Sequence, residues 1–292
     1  MSANVGAAPP LVRDPAPVVN AFLARGGQVV TFDVFDTLLW RRVLFPVDAF
    51  RLLPHGRRVT ALRAFAEAGA TAWCRRVLRR EPRLADIYRI YPFDPRAELA
   101  LEAELAQPNP WCLAAVNELL ARGVTVAAVS DMYLSAQQIG TLLQAAGYPR
   151  LPVFSSSEAN RSKRGDGRLF LHVGEQIGAA PSSWLHVGDN LHADVEMARR
   201  HGLSACHVQA PRDTLLALLP NLQSRRRTPE EAVFLGELAI ALHLRMVSTQ
   251  ALPQDVAERL TRLLAPAAGG RGQSVQATVE AALGTAASEA RP

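Results

Sequence analysis

Between residues 124 and 208 four short apolar runs (124–130, 153–155, 184–187 and 204–208) alternate with helical stretches at 135–146, 167–177 and 193–201. A β-branched run at 28–33 precedes them. Strands that recur only after a helix are joined by crossovers, and a crossover returns the chain parallel to its starting direction. The expected fold is therefore α/β, a doubly wound parallel sheet of Rossmann-like type covered by helices on both faces. Gly123 and Gly147 fall where helices should stop.

Between the first and second strands the chain runs helically from about 47 to 107, with breaks at Pro92, Pro95 and Pro108. That is far more than a crossover needs, so it reads as an inserted helical cap. Pro9, Pro10, Pro15 and Pro17 suggest a disordered lead over 1–17. Past Asp213 the pattern is helical again. Thr228-Pro229-Glu230-Glu231 is a start signal, with a capping hydroxyl, proline at the first position and acids on the dipole. The stretch 232–244 is apolar almost all round, which implies burial against the sheet domain or a partner. The expected layout is a lead at 1–17, a core at 18–46 and 109–212, the cap at 47–108, C-terminal helices at 213–264 and a flexible tail at 265–292.

Charge and composition exclude several classes. The pI of 9.6 invites a nucleic-acid reading, but the basic residues are 31 Arg and one Lys, a compositional skew. The clusters Arg57-Arg58, Arg75-Arg76, Arg79-Arg80 and 225–227 lack interleaved stacking aromatics. We expect solvated helix faces and no nucleic-acid partner, with the cap clusters able to attract an anionic small substrate. No apolar run has the length of a membrane span. Cys74, Cys112 and Cys206 show no metal-like or disulfide-like spacing, and the amino terminus shows no signal pattern. A cytoplasmic location is expected.

Four polar motifs each follow a strand: Asp33-Val34-Phe35-Asp36-Thr37-Leu38-Leu39, Ser130-Asp131-Met132-Tyr133-Leu134, Ser155-Ser156-Ser157-Glu158 leading to Lys163, and Gly188-Asp189-Asn190 with Asp194 beyond. In an open parallel sheet, ligands bind outside the carboxyl ends of strands. A lone Asp at a strand end is usually a turn or helix cap, but four such motifs in order form one rim. Asp33 and Asp189 offer hard oxygens that suit Mg²⁺, and Ser130 and Lys163 offer donors to phosphoryl oxygens. Ser130 and Asn190 also read as helix caps, and Asp131 as backbone support or as an outer partner of the metal ligands. His186, His192, His201 and His207 lack ligand spacing and read as packing or surface residues.

These motifs resemble the haloacid dehalogenase superfamily over about residues 28–210. The resemblance implies a Mg²⁺-dependent phosphatase in which Asp33 is the nucleophile and forms an aspartyl-phosphate. It places Ser130 and Lys163 on the phosphate with Asp131 and Asn190 beside them. It assigns the metal to Asp33, the Phe35 carbonyl, Asp189 and Asp194. The combination FDVFDTLL, SDMYL, SSE and HVGDN is most similar to predicted hydrolases that accompany glycosyltransferases in surface-polysaccharide gene sets. A phosphorylated sugar substrate is implied, with a homodimer or a glycosyltransferase docked on the apolar C-terminal helix.

Two departures matter. Phe35 stands where the family's phosphatases carry a second Asp, the general acid, and Asp36 is one residue too late to substitute without remodelling the loop. The segment after Lys163 is one residue longer than usual, so Arg164 could take its role, but the chain's single lysine at this place favours Lys163. Phe35 keeps two alternatives open: a metal-independent 2-haloacid dehalogenase, whose members also place an aromatic there, and a non-catalytic scaffold.

Overall fold

The computed structural model describes residues 10–54, 56–224, 226–245, 254–264 and 274–283. Eight strands occur among them: β1 (Leu11–Val12), β2 (Val29–Phe32), β3 (Leu39–Arg41), β4 (Ala106–Pro108), β5 (Thr125–Ser130), β6 (Val153–Ser155), β7 (Trp184–Gly188) and β8 (Ser204–Val208). Six form one parallel sheet in the order β1-β8-β7-β2-β5-β6. The expected doubly wound α/β fold is present.

The order explains where a site must lie. From central β2 the chain moves outward through β5 and β6, then returns to β7 on the other side and moves outward through β8. The direction of winding reverses at β2, so the loops leaving β2, β5 and β7 diverge and leave a crevice at their carboxyl ends. Phe32 pairs with both Ala128 and Val187, which puts Asp33, Ser130 and Gly188 at one rim.

Period-two alternation feeds both faces of the sheet. Val30, Phe32, Val126, Ala128, Leu185 and Val187 join one apolar cluster. Val29, Val129, Trp184 and Ala205 join another, under the helix Arg168–Ile177. This double burial is why the strands read as continuous apolar runs.

Three features depart from the sequence reading. Residues 1–9 of the expected lead lie outside the described residues, but Leu11–Val12 pairs with His207 and Val208, and Ala16–Leu23 is helical. Pro15 and Pro17 stand at the helix start, where the missing N–H costs nothing. The helical segment between β2 and β5, made of Gly56–Trp73, Leu84–Tyr88 and Pro95–Leu105, is closed at its base by an antiparallel ribbon of β3 and β4 that periodicity does not reveal. The helix expected over 193–201 is a wider-wound turn at Leu191–Glu196 followed by one turn at Met197–Arg200.

The chain divides into two compact units. One comprises the described residues of Met1–Arg41 and Phe50–Ala210; the other comprises Arg42–Ala49 with the described residues of Pro211–Pro292. In the second, the helix Pro229–Arg245 begins with the reciprocal Thr228–Glu231 cap. Its Leu235, Leu238 and Leu242 pack with Leu44, Leu215, Leu260 and Val279. The apolar stretch read as facing the sheet or a partner is thus buried within its own unit. Within the tail read as flexible, Val275–Leu283 is a helix whose Val279 and Ala282 are buried; residues 265–273 and 284–292 lie outside the described residues.

Candidate active site

Asp33 leaves β2 with its amide bonded to the Val187 carbonyl at 2.8 Å. The next residues turn sharply: Leu39 N–H donates to Val34 O and Asp36 N–H to Leu39 O, both at 2.8 Å. Asp36 takes φ +64°, a left-handed conformation that Asp tolerates better than bulky residues. The turn brings Thr37 back to the rim, where its hydroxyl donates to Asp189 Oδ1 at 3.3 Å. Phe35, half-buried, lies under the Arg41 guanidinium at 4.0 Å, and Arg41 in turn donates to Glu102 at 2.8 Å.

Lys163 is the hub. Its side chain is 1% exposed, and Nζ donates to Asp33 Oδ1 at 2.5 Å, Asp194 Oδ1 at 2.6 Å and Val129 O at 2.9 Å. All three ammonium donors are used. Asp131 aims the lysine by accepting the Lys163 amide at 2.7 Å and the Arg164 amide at 2.8 Å. The geometry decides between the two cations, since the Arg164 side chain is exposed and lines a separate cavity. The Asp131 carboxylate thus braces the loop, which is the backbone-support alternative of the sequence reading.

Asp194 is as deeply buried as Lys163. Its Oδ2 accepts the Asn190 amide at 3.0 Å. Gly188 makes this possible, because a Cβ there would overlap the Asp194 carboxylate. The Asn190 side chain caps the following turn through the Ala193 amide at 2.9 Å, so the capping alternative describes what this side chain does. Ser130 is buried at the end of β5, and its hydroxyl makes no hydrogen bond among the described residues. The Ser155–Ser157 motif braces the neighbouring loop: Ser155 and Ser157 hydroxyls donate to Leu134 O at 2.6 and 2.8 Å.

Sequence reasoning missed His186. Its Nε2 lies 3.3 Å from Asp194 Oδ1, and its Nδ1 lies 2.8 Å from Thr31 Oγ1, which accepts Trp184 Nε1–H at 2.7 Å. A carboxylate only accepts, so Nε2 carries the hydrogen and Nδ1 accepts from the Thr31 hydroxyl. The chain of donors runs Trp184, Thr31, His186, Asp194. Alternation along β7 puts residues 184, 186 and 188 on one face, a usable signal, but nothing local says that Asp194 folds back over it. His207 was also read as a packing or surface residue, yet its Nε2 donates to Asp189 O at 2.8 Å.

The electrostatics follow from burial and count. Burial pushes the Asp33 carboxyl up to about 7; Lys163 opposes this and the Asp194 charge adds to it. Burial alone would discharge Lys163, but Asp194 and Asp33 outweigh it and hold the ammonium above its usual range. Lys163 likewise overcomes burial at Asp194 and holds it ionised, below the usual carboxylate range. His186 is lowered, chiefly by burial, and stays neutral.

Carboxylate oxygens of Asp33, Asp189 and Asp194 all lie within 4.8 Å of one another. Three carboxylates face one ammonium, and these hard oxygen donors fit a Mg²⁺ ion. Both Asp194 oxygens accept hydrogen bonds, from Lys163 and from the Asn190 amide.

No curated protein matches the sequence. Among solved structures, the chain is similar to an L-2-haloacid dehalogenase at TM-score 0.50 and 19% identity, covering 64% of this chain and 86% of that one. It is similar to the L-2-haloacid dehalogenase from Xanthobacter autotrophicus at 0.48 and 22%, covering 78% and 93%. A HAD family enzyme from Bacteroides thetaiotaomicron, in complex with magnesium and inorganic phosphate, matches at 0.46 and 12%, covering 63% and 95%. At these identities the likeness speaks to fold alone. The model of the haloacid dehalogenase-like hydrolases matches residues 28–202, more than half of the chain and the whole span that carries the four motifs, and the chain belongs to that family.

Proposed function

We propose that the protein is a Mg²⁺-dependent phosphatase that uses Asp33 as nucleophile. One observation carries this reading: a single buried ammonium, Lys163 Nζ, is bonded to Asp33 and Asp194 beside Asp189, which leaves an anionic oxygen cluster that a divalent cation completes. Asp33 attacks phosphorus, the ester oxygen leaves with its electron pair, and an aspartyl-phosphate forms; water then cleaves it and regenerates Asp33. Ser130 supplies the free hydroxyl for a phosphoryl oxygen. Lys163 offsets repulsion between the carboxylates and the phosphate. Asp33 and Asp189, with Asp194 and the Phe35 carbonyl, would hold Mg²⁺, which supplies charge neutralisation on the transferring group.

In this reading the substrate is a phosphorylated small molecule of sugar or surface-glycan metabolism, and a glycosyltransferase is the candidate partner, as the motif resemblance implies. A cytoplasmic setting is supported by three buried free cysteines. Among the described residues no helix is long and apolar enough to cross a membrane.

The competing reading is a 2-haloacid dehalogenase, favoured by Phe35 in place of the general acid. The same Asp33–Lys163 pair would serve it without metal. The test is hydrolysis of 4-nitrophenyl phosphate against chloride release from L-2-chloropropionate, each with Mg²⁺ and with excess chelator. We expect ester hydrolysis that chelation abolishes and Mg²⁺ restores. Chloride release that survives chelation, with no ester hydrolysis, replaces this proposal with the dehalogenase. Neither activity leaves the scaffold.

A further inference from the structure

A cavity of about 650 Å³ lies between the end of the helix Gly56–Trp73 with its following turn and the loop that carries Lys163. Arg75, Arg79, Arg161, Arg164 and Arg168 all line it. Two are neutralised locally, Arg75 by Glu81 at 2.8 Å and Arg168 by Asp166 at 2.9 Å. The other three, Arg79, Arg161 and Arg164, make no ion pair among the described residues. Like charges gathered in one concavity repel one another, and an oxyanion relieves that repulsion while taking charge-assisted hydrogen bonds from planar guanidinium forks.

The walls are built. Asn160 ties them together, accepting the Glu81 amide at 2.8 Å and donating to Arg79 O at 3.4 Å. Arg79 and Asn160 both take left-handed backbone conformations, at φ +52°, to make the approach. The cavity also borders the site. Ser162 and Arg164 flank Lys163, whose Nζ reaches Asp33. Arg75 is held charged above its usual range first by its hydrogen bonds to Glu81, and more weakly by the field of Asp131, the brace of the Lys163 loop.

We propose that this arginine-lined cavity is a binding site for a second phosphate-like dianion, distinct from the group that reacts at Asp33. That dianion comes either from the far end of a bis-anionic substrate or from a separate effector. The first source rests on the phosphatase reading; the site itself does not.

Binding of methylenediphosphonate is measured by titration calorimetry on the full chain in excess chelator, so that no turnover is needed. The wild type is compared with the double variant Arg79→Gln/Arg161→Gln and with the single variant Arg164→Gln, each checked for fold by circular dichroism. We expect Kd to weaken about tenfold or more in the double variant and less in the single one. Arg79→Lys/Arg161→Lys should recover part of the loss. Equal Kd in the wild type and both Gln variants overturns the site. A second arm compares kcat/KM for 1,4-butanediol bisphosphate with that for butyl phosphate. A preference for the bisphosphate that collapses in the double variant assigns the dianion to the substrate. Cavity-dependent binding without that preference assigns it to an effector. Cavity-dependent binding with no ester turnover by any protein sinks the phosphatase reading and leaves the site standing.

Discussion

The protein buries two ionic networks, and they are built on opposite plans. In the helical segment between β3 and β4, Glu98 accepts four hydrogen bonds: Arg63 Nε and Tyr88 Oη at Oε2, Arg63 Nη2 and Tyr133 Oη at Oε1, all at 2.7–2.8 Å. Arg63 is fully buried, lies over Phe50 at 4.3 Å and also binds Glu67 at 3.0 Å. The hydrogen-bond capacity of Glu98 is filled, and the second carboxylate on Arg63, that of Glu67, is partly exposed to solvent. At the sheet rim, three carboxylates crowd one buried cation, the Ser130 hydroxyl makes no hydrogen bond among the described residues, and burial pushes Asp33 up to about 7. A completed network specifies a structure, whereas an incomplete one is poised for a ligand that completes it. That contrast also separates two residues of one motif at the end of β5: Tyr133 closes the first network, and Ser130 stands at the second.

The sharpest break of this comparison is Asp33→Asn. It should lower kcat at least about 10⁴-fold on any ester the wild type cleaves, because the proposed nucleophile becomes an amide, while the melting temperature stays close to wild type. Unchanged kcat in a steady-state assay would remove Asp33 from the chemistry.

Glu98→Ala should do the reverse, costing about 3–5 kcal/mol of stability by stranding Arg63 and two tyrosine hydroxyls, as read from urea unfolding. Burial pushes Glu98 up, but its hydrogen bonds from Arg63 win, and its carboxyl lies below the usual value. The folded state therefore favours the ionised form, and its contribution is full above about pH 4.5 and fades as pH falls through the lower folded value. The stability gap between wild type and Glu98→Gln should accordingly narrow at pH 3 relative to pH 7. A gap that widens there would make the network a cost instead of a support.

Phe35→Asp tests what the rim lacks. A general acid at this position should raise kcat/KM for alkyl phosphates by about 10²-fold, the lower end of the general-acid range. Arg41, 4.0 Å from the Phe35 ring, would hold the new carboxyl ionised and blunt its use as an acid. Wild-type rates should fall steeply as leaving-group pKa rises, and the dependence should flatten in the variant. A flat wild-type dependence would show that another residue, Asp36 first, already donates the proton.

The smallest effect is expected at His186. Replacing it with Leu removes one donor from Asp194 and should lower kcat about tenfold, as losses of outer partners do. His186→Gln, which retains an amide donor, should recover part of it. Equal kinetics in both variants would reduce His186 to packing.

What the sequence by itself determined is the local part of the protein. Strand positions at 125–130, 153–155, 184–188 and 204–208, the glycine stops and the four polar motifs were legible because buried parallel strands and caps are written in neighbouring residues. The doubly wound parallel class followed, since strands that recur only after a helix are joined by crossovers, but the strand order did not. Tertiary structure alone decided the rest. It shows how Lys163, already favoured by sequence, reaches the site: the Asp131 brace, 32 residues away, holds a loop that turns this side chain inward and leaves Arg164 exposed. It turned His186 and His207 from packing residues into partners of Asp194 and Asp189. The β3–β4 ribbon joins residues 39–41 to 106–108, and Arg42–Ala49 packs with a unit that begins at Pro211. A hydrogen bond or an apolar contact between distant segments leaves no period in either one, so only the folded chain shows which pairs meet.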